Sequence, residues 1–388
     1  MRRRLPAGDG GAMASPPPHR SRPSVALVSL VALGCVTASL AFAARSMHDE
    51  GTPVVVLGVI SDVQYADADD GKSAAGVARF YRESLRIVNA AASAWAAVPA
   101  AQGGVSAVVH VGDTVDGGRA ATGPGGTGAA ADAVQAALRS AGRPLQFVLG
   151  NHEFAIGDRA ALAERFRFAA ASDGAAYRSF SPAKGVRVII LDSYAESTVG
   201  WPAGNAVHAK AQAVLSKHNP LPAGKAQNDP GALTGTERRW IALGGAVGRA
   251  QLDWLDTQLQ EARRSRERVI VFTHVPVHPR AVSTWCGPLC LAWDYEAVLA
   301  VLRPHAGTVA ACVSGHDHFG GAVRDASGIA FITLQAVIET KRGGKAHGEL
   351  RLYDRHLRLT GSGRMRSRNF FLPPLPPALL GDASRADE

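Results

Sequence analysis

Six runs of strand length, apolar at nearly every position, each give way at once to a polar loop. PVVVLGVI (53–60) leads into SDVQYAD, SAVVHV (106–111) into GDTVDG, and PLQFVL (144–149) into GNHEF. VRVIIL (186–191) leads into DSYAE, RVIVFT (268–273) into HVPVH, and TVAACVS (308–314) into GHDHFGG. A continuous apolar run suits a strand covered on both faces, whereas a half-exposed strand alternates. Between the runs lie stretches with apolar residues at helical spacing: VARFYRESLRIVNAAASAWAAV (77–98), ADAVQAALRSAG (131–142) and RAQLDWLDTQLQEARR (249–264). Strand, polar loop and helix in repeated order predict an α/β fold. In such folds ligands gather beyond the carboxyl ends of the strands, and the polar clusters all fall there.

The chain has 388 residues, enough for one large domain or two ordinary ones, and 46% of them are hydrophobic against 19% charged. A sizeable core is therefore available. The net charge of +9 includes three charges from the first 50 residues, and the rest is spread without a dense basic stripe. That pattern fits a small anionic substrate and argues against a dedicated nucleic-acid binder. Four cysteines (Cys35, Cys286, Cys290, Cys312) are too few for a disulfide framework. Cys286 and Cys290 have no second pair nearby to complete a zinc site, which leaves packing or an optional disulfide. The run GPGGTG (123–128) follows no strand directly and reads as a low-complexity insertion, not a dinucleotide fingerprint.

The N-terminus stands apart. Residues 1–23 are rich in Arg, Gly and Pro and read as a disordered basic tail. Residues 24–44 carry no charge over 21 positions, enough for a helix across a hydrocarbon core of ~30 Å. Basic residues before it place the N-terminus on the cytoplasmic side, so the segment reads as a membrane anchor with the catalytic part outside the cytosol. The alternatives are a cleaved signal, since Ala41, Phe42 and Ala43 form an A-x-A pattern, giving a secreted or luminal protein, and an organellar transit sequence. A folded domain over 52–366 and an irregular Pro-rich tail over 367–388 complete the division.

Taken singly, each polar cluster has an ordinary reading as a cap or a solvated turn. Jointly they supply Asp62, Gln64, Asp113, Asn151, His152, His274, His316 and His318, each just past a strand. Carboxylates, imidazoles and carboxamides make a mixed oxygen and nitrogen set, suited to Mn, Fe or Zn more than to an all-oxygen Ca or Mg cage.

The motifs D-x-Q, G-D-x-x-D-G, G-N-H-E, H-x-P and G-H-x-H together resemble the calcineurin-like metallophosphoesterases. Gln64 within SDVQYAD, together with KHNPLP (217–222), LGGAVGRAQLDWL (243–255), LCLAWDY (289–295) and AVIET (336–340), resembles the manganese-dependent ADP-ribose/CDP-alcohol diphosphatases. The resemblance covers about 55–366. It implies an αββα sandwich of mixed sheets flanked by helices, with a dinuclear metal site at the strand ends. Two divalent ions are implied, Mn²⁺ foremost with Fe, Zn and Mg as alternatives. By the same resemblance Asp113 bridges them, Asp62, Gln64 and His318 complete one, and Asn151, His274 and His316 complete the other. His152 addresses the phosphate as donor or general acid. Arg79 either solvates a helix face or reaches the substrate phosphate, and Cys290 either packs or lines the nucleoside pocket. Asp116 and Glu153 are expected to support the ligands from behind or to hold turns, not to be ligands, and His278 and His305 to be loop or surface residues.

The implied reaction is hydrolysis of a nucleoside diphosphate conjugate, such as ADP-ribose, CDP-choline or CDP-glycerol, to a nucleoside monophosphate and a phosphate monoester. The alternatives are a broader metallophosphoesterase acting on phosphomonoesters or phosphoproteins, and an inactive scaffold of the same fold. The chain departs from the subgroup in three places. Asp317 stands within G-H-D-H where the subgroup has Thr, and is expected either to alter the charge at the metals or to face solvent. KSAAGV (72–77) lacks an aromatic suited to stack on a base. Phe331 and Gln335 stand at subgroup polar positions. These departures fall on the nucleoside side more than on the metal motifs.

Overall fold

The computed structural model describes residues 51–73 and 75–376. The basic tail 1–23, the hydrophobic segment 24–44 and residues 377–388 lie outside them. Among the described residues no helix is long and apolar enough to cross a membrane.

The chain runs β1 (Val55–Ile60), β2 (Gly71–Lys72), β3 (Ala78–Arg79), α1 (Tyr81–Ala96), β4 (Ala107–His110), α2 (Gly117–Ala121), α3 (Gly126–Arg139) and β5 (Leu145–Phe147). It continues through α4 (Arg159–Phe166), β6 (Arg178–Ala183), β7 (Val186–Ile190), α5 (Ala206–His218), α6 (Arg249–Arg264), β8 (Arg268–Phe272), α7 (Tyr295–Leu302) and β9 (Val309–Ser314). Strands β10 (Gly321–Arg324), β11 (Ala330–Thr333), β12 (Ala346–Leu352), β13 (His356–Gly363) and β14 (Arg368–Phe371) follow.

Two mixed six-stranded sheets result, ordered β14-β13-β12-β1-β4-β5 and β10-β11-β9-β8-β7-β6. β1, β4 and β5 run parallel, as do β7, β8, β9 and β11. The apolar runs are strands buried on both faces, and their alternation sorts the side chains into layers. Val55, Leu57 and Val59 meet Val188, Ile270 and Val313 between the sheets. Val56 and Ile60 face the other way, onto Ile87, Val88, Ala91 and Trp95 of α1 and onto α3. On the far side, Val269, Val271 and Cys312 pack beneath Leu252, Leu255 and Leu259 of α6 and Val298 and Leu302 of α7. The architecture is helix, sheet, sheet, helix, as the resemblance implied. At Gly58 a Cβ would lie 2.8 Å from the Trp95 ring, so the missing side chain lets α1 seat its largest residue.

Three local expectations are corrected. The helix expected over 77–98 begins only at Tyr81, because Gly71 and Lys72 pair with Arg79 and Ala78 in a short ribbon. Residues 126–128 of GPGGTG form the first turn of α3, entered through left-handed Gly125. The tail expected from 367 begins with β14, which pairs with β13, and Pro373 accepts from the Arg268 guanidinium at 2.6 Å. An edge strand of four residues with one buried side chain is too weak a pattern to be seen in sequence.

Candidate metal centre

Both sheets deliver their polar loops to one end of the sandwich. β1, β4 and β5 bring Asp62, Gln64, Asp113, Asn151 and His152 from one sheet. β8 and β9 bring His274, His316 and His318 from the other. The loops are bonded to one another past the strand ends: Asp62 N–H to Gly112 O at 3.0 Å, Gln64 N–H to Asp113 O at 2.9 Å, and Gly315 N–H to His274 O at 3.0 Å. Asp62, Gln64, Asp113 and His316 all have positive φ, between 43° and 66°. Left-handed backbone costs an L-residue about 1 kcal/mol or more. Four such residues at one end of a fold mark a place where aim outweighs local stability. Gly150 is required there, since a Cβ would collide with Asp113 Oδ1.

The donor atoms of Asp113, His274 and His316 lie within 4.8 Å of one another, and so do those of Asp62, Asp113 and His318. Asp113 belongs to both sets. His274 Nδ1 faces the Val111 carbonyl at 2.8 Å, so the neutral ring carries its proton there and turns Nε2 toward Asp113 Oδ2 at 3.5 Å. That Nε2 is buried and has no hydrogen-bond partner. An orphaned imidazole nitrogen facing a buried carboxylate is what a cation site leaves when only the protein is present. His318 repeats the arrangement: Nδ1 donates to Glu339 at 3.0 Å, and Nε2 faces Asp62 at 3.5 Å. Arg364 in turn donates to Glu339 at 2.7 Å.

Gln64 Nε2 stands 3.0 Å from Asp113 Oδ2 and 3.2 Å from His318 Nε2, while its Oε1 accepts from Arg79. To offer oxygen to a cation the carboxamide must turn by half a rotation, which O/N isosterism allows. Its NH₂ then faces Arg79, and the guanidinium is left with Asp116, 3.1 Å away. Arg79 therefore does not solvate a helix face; it stands on β3 and lines the pocket. Asn151 Oδ1 accepts from the buried Tyr194 hydroxyl at 3.3 Å. Glu153 does more than hold its own turn. Fully buried, it accepts from Asp113 N (2.9 Å), Thr114 N (2.7 Å) and Gly150 N (2.6 Å), clamping the Asp113 and Asn151 loops together.

His152 has a defined proton. Its Nδ1 accepts from Gly117 N–H at 3.3 Å, which places the ring proton on Nε2, 4.0 Å from Asp113 Oδ2 and facing the pocket. Its backbone N–H donates to Asp113 Oδ1 at 3.0 Å.

The charges answer one another. Burial alone would raise the Asp113 carboxyl, but His274, His152 and His316 around it hold it well below the usual range. Burial would depress His274, yet Asp113 lifts it to about 10. His316 is pushed down to about 3 by burial and by His274. Without a cation, a proton on His274 thus balances Asp113. Cation uptake must expel that proton, so Mn²⁺ affinity is expected to rise with pH by up to about tenfold per unit through the neutral range. Calorimetric titration in buffers of different ionisation enthalpy checks this; uptake without proton release contradicts it.

The cavity above these residues holds about 270 Å³ and is lined also by Leu243, Trp285, Cys286 and Cys290. Cys290 offers it no thiol, because it forms a disulfide with Cys286. Asp317 neither faces solvent nor joins the metal clusters of Asp113. It is fully buried, and its carboxylate accepts from Ser283 N–H and from Ser283 Oγ at 2.8 Å. Phe331 and Gln335 do not line the cavity. His278 and His305 are buried, the first against Phe331 and the second bonded to Asp256 at 2.9 Å. Sequence reading passed over Glu339, Arg364 and Tyr194. Glu339 lies within AVIET and Tyr194 in the loop after 186–191, so their positions past strands were the available signal.

The calcineurin-like phosphoesterase family model matches residues 55–320. A manganese-dependent ADP-ribose/CDP-alcohol diphosphatase of Arabidopsis thaliana is 35% identical over 318 residues, covering 82% of this chain and 97% of the relative. The chain belongs to that diphosphatase family, within the calcineurin-like phosphoesterases. A second member, from Danio rerio, is 35% identical over 326 residues, with 81% of this chain and 97% of the relative covered. The crystal structure of a dimetal phosphatase from Danio rerio superposes with a TM-score of 0.76 at 34% identity, covering 83% of this phosphoesterase and all of that chain. The αββα fold and the manganese-dependent phosphoesterase class follow from these likenesses and from the donor set at the strand ends.

Proposed function

We propose that this phosphoesterase hydrolyses the diphosphate linkage of nucleoside diphosphate conjugates, ADP-ribose and CDP-alcohols such as CDP-choline and CDP-glycerol among them, to a nucleoside monophosphate and a phosphate monoester. The observation that carries this reading is Asp113, a buried carboxylate shared by two imidazole-bearing clusters. We assign Asp62, Gln64, Asp113 and His318 to one cation, and Asp113, Asn151, His274 and His316 to the other. When bound, two divalent cations supply Lewis acidity toward phosphate oxygens and lower the pKa of water. The chain's own part is positional. Glu153 fixes the Asp113 and Asn151 loops, Glu339 and Tyr194 orient His318 and Asn151, and Arg79 stands ready to meet a phosphate oxygen. His152 presents Nε2–H toward the leaving phosphate, where it offsets negative charge or gives up that proton.

Gln64 offers a neutral carboxamide oxygen, a weaker donor than imidazole. Metal-stripped protein is therefore expected to turn over faster with Mn²⁺ than with Zn²⁺; equal or higher activity with Zn²⁺ alone contradicts that role. The substrate class is tested by a panel with Mn²⁺: ADP-ribose, CDP-choline and CDP-glycerol against p-nitrophenyl phosphate and a phosphopeptide. Preference for the monoesters favours the broader phosphoesterase reading, and no turnover with a full metal complement favours a scaffold.

We also read residues 24–44 as a membrane anchor that places the catalytic domain outside the cytosol, on the strength of 21 uncharged residues behind a basic tail. Retention of the chain in membranes after alkaline extraction is expected; release into the soluble fraction argues for cleavage.

A further inference from the structure

The residues lining the cavity form two unlike groups. One comprises Arg79, His152 and the cation-binding residues. The other comprises Leu243 and Trp285, which are 42% and 55% exposed and are two of the few large hydrophobic side chains in the described residues left to solvent. An exposed indole is costly to leave wet unless it meets something flat.

The indole stands on a rigid frame. The Ser283 hydroxyl donates to Asp317 at 2.8 Å and its oxygen accepts from Cys286 N–H at 3.1 Å. Gly287 N–H returns to Ser283 O at 2.8 Å, and the Cys286–Cys290 disulfide closes the loop behind Trp285. The Trp285 ring packs on Phe319 with centroids 4.9 Å apart. Asp317 and Phe319 alternate with His316 and His318 along one segment. The same four residues thus turn imidazoles into the candidate metal centre on one side and hold the Trp285 loop on the other. Ser73 and Ala75 of the KSAAGV stretch, which also line the cavity, offer no ring.

We propose that Trp285 is the nucleobase platform of this enzyme, a rim indole held by Asp317 and the Cys286–Cys290 disulfide on which the base of a nucleoside diphosphate conjugate stacks. This rests on the diphosphate-hydrolysis reading and specifies its substrate side. Stacking on an aromatic face tolerates any base, because purines and pyrimidines alike present a π-face. One platform then serves adenine and cytosine conjugates. Asp317, unexplained by the metal chemistry, acts here as a positioning residue.

The test compares AMP with ribose 5-phosphate, which is AMP without its base, as ligands of the full-length chain loaded with Mn²⁺. Wild type is expected to bind AMP about tenfold or more tightly than ribose 5-phosphate. In Trp285→Ala the AMP dissociation constant rises about tenfold while that of ribose 5-phosphate moves less than about twofold, so the preference disappears. Trp285→Phe restores most of it, which a merely structural tryptophan would not require. Cys286→Ser, which opens the loop and keeps the indole, lowers the same ratio by a smaller factor. An unchanged AMP preference in Trp285→Ala at normal Mn²⁺ content overturns the platform and leaves the hydrolysis reading standing. Failure of wild type to bind either ligand overturns both.

Discussion

Asp113→Asn is expected to bring bound manganese from two ions per chain to one or none and to lower turnover by at least ~10³-fold. The substitution keeps the shape of the side chain, so its two donors, Gln64 Nε2 and the His152 backbone N–H, still find an oxygen or swap one bond. What it removes is the charge common to both clusters. Without that charge the ring of His274 loses its main carboxylate partner, and burial is opposed only by Asp62 and the Val111 carbonyl. In the metal-free variant His274 should therefore lose its elevated pKa and titrate far below 10, which NMR of the ring protons reports. Metal content and turnover are read on the same preparation. Two manganese ions per chain with near wild-type turnover would contradict the shared-ligand account.

His152→Ala should behave in the opposite way on metal and the same way on rate. Turnover falls by about 10²- to 10⁴-fold, while manganese content stays near normal. The separation follows from how His152 is attached. Its backbone N–H, which the variant keeps, donates to Asp113 Oδ1, so the loop geometry beside Asn151 survives. Only the ring is lost, and with it the Nε2–H that Gly117 fixes toward the cavity. The leaving group in a diphosphate is itself a phosphate monoester and needs little protonation. The loss is therefore expected to be similar for ADP-ribose and CDP-choline, as befits charge stabilisation. Full activity in this variant removes His152 from the chemistry, and loss of manganese along with activity makes it a structural residue.

The strands that carry the site were legible because burial on both faces leaves an uninterrupted apolar run, and the polar block after it cannot be mistaken for more strand. That is why Asp62, Asp113, Asn151, His274, His316 and His318 could be placed at one end of a sheet before any contact was known. Residues whose part depends on a partner distant in sequence were not legible. Glu339 orients His318 only because the chain after β11 returns beside β1, with Ile338 N–H bonded to Asp62 O at 3.1 Å. Arg79 left its expected helix because a two-residue pairing outweighed helical spacing. Asp317 looked like a residue facing metal or water, since an alternating segment offers those two directions; a third, toward a loop folded back over it, is invisible without the fold. The edge strand β14 has too little burial to leave a pattern.

Opening of a diphosphate bond by two clusters that share Asp113 is the chemistry at stake. Phosphorus-31 NMR of ADP-ribose incubated with the Mn²⁺-loaded chain tests it directly. The two diphosphate signals are expected to give way to two phosphate monoesters, AMP and ribose 5-phosphate, with no inorganic phosphate. Persistence of the diphosphate, or inorganic phosphate as the product, would contradict it.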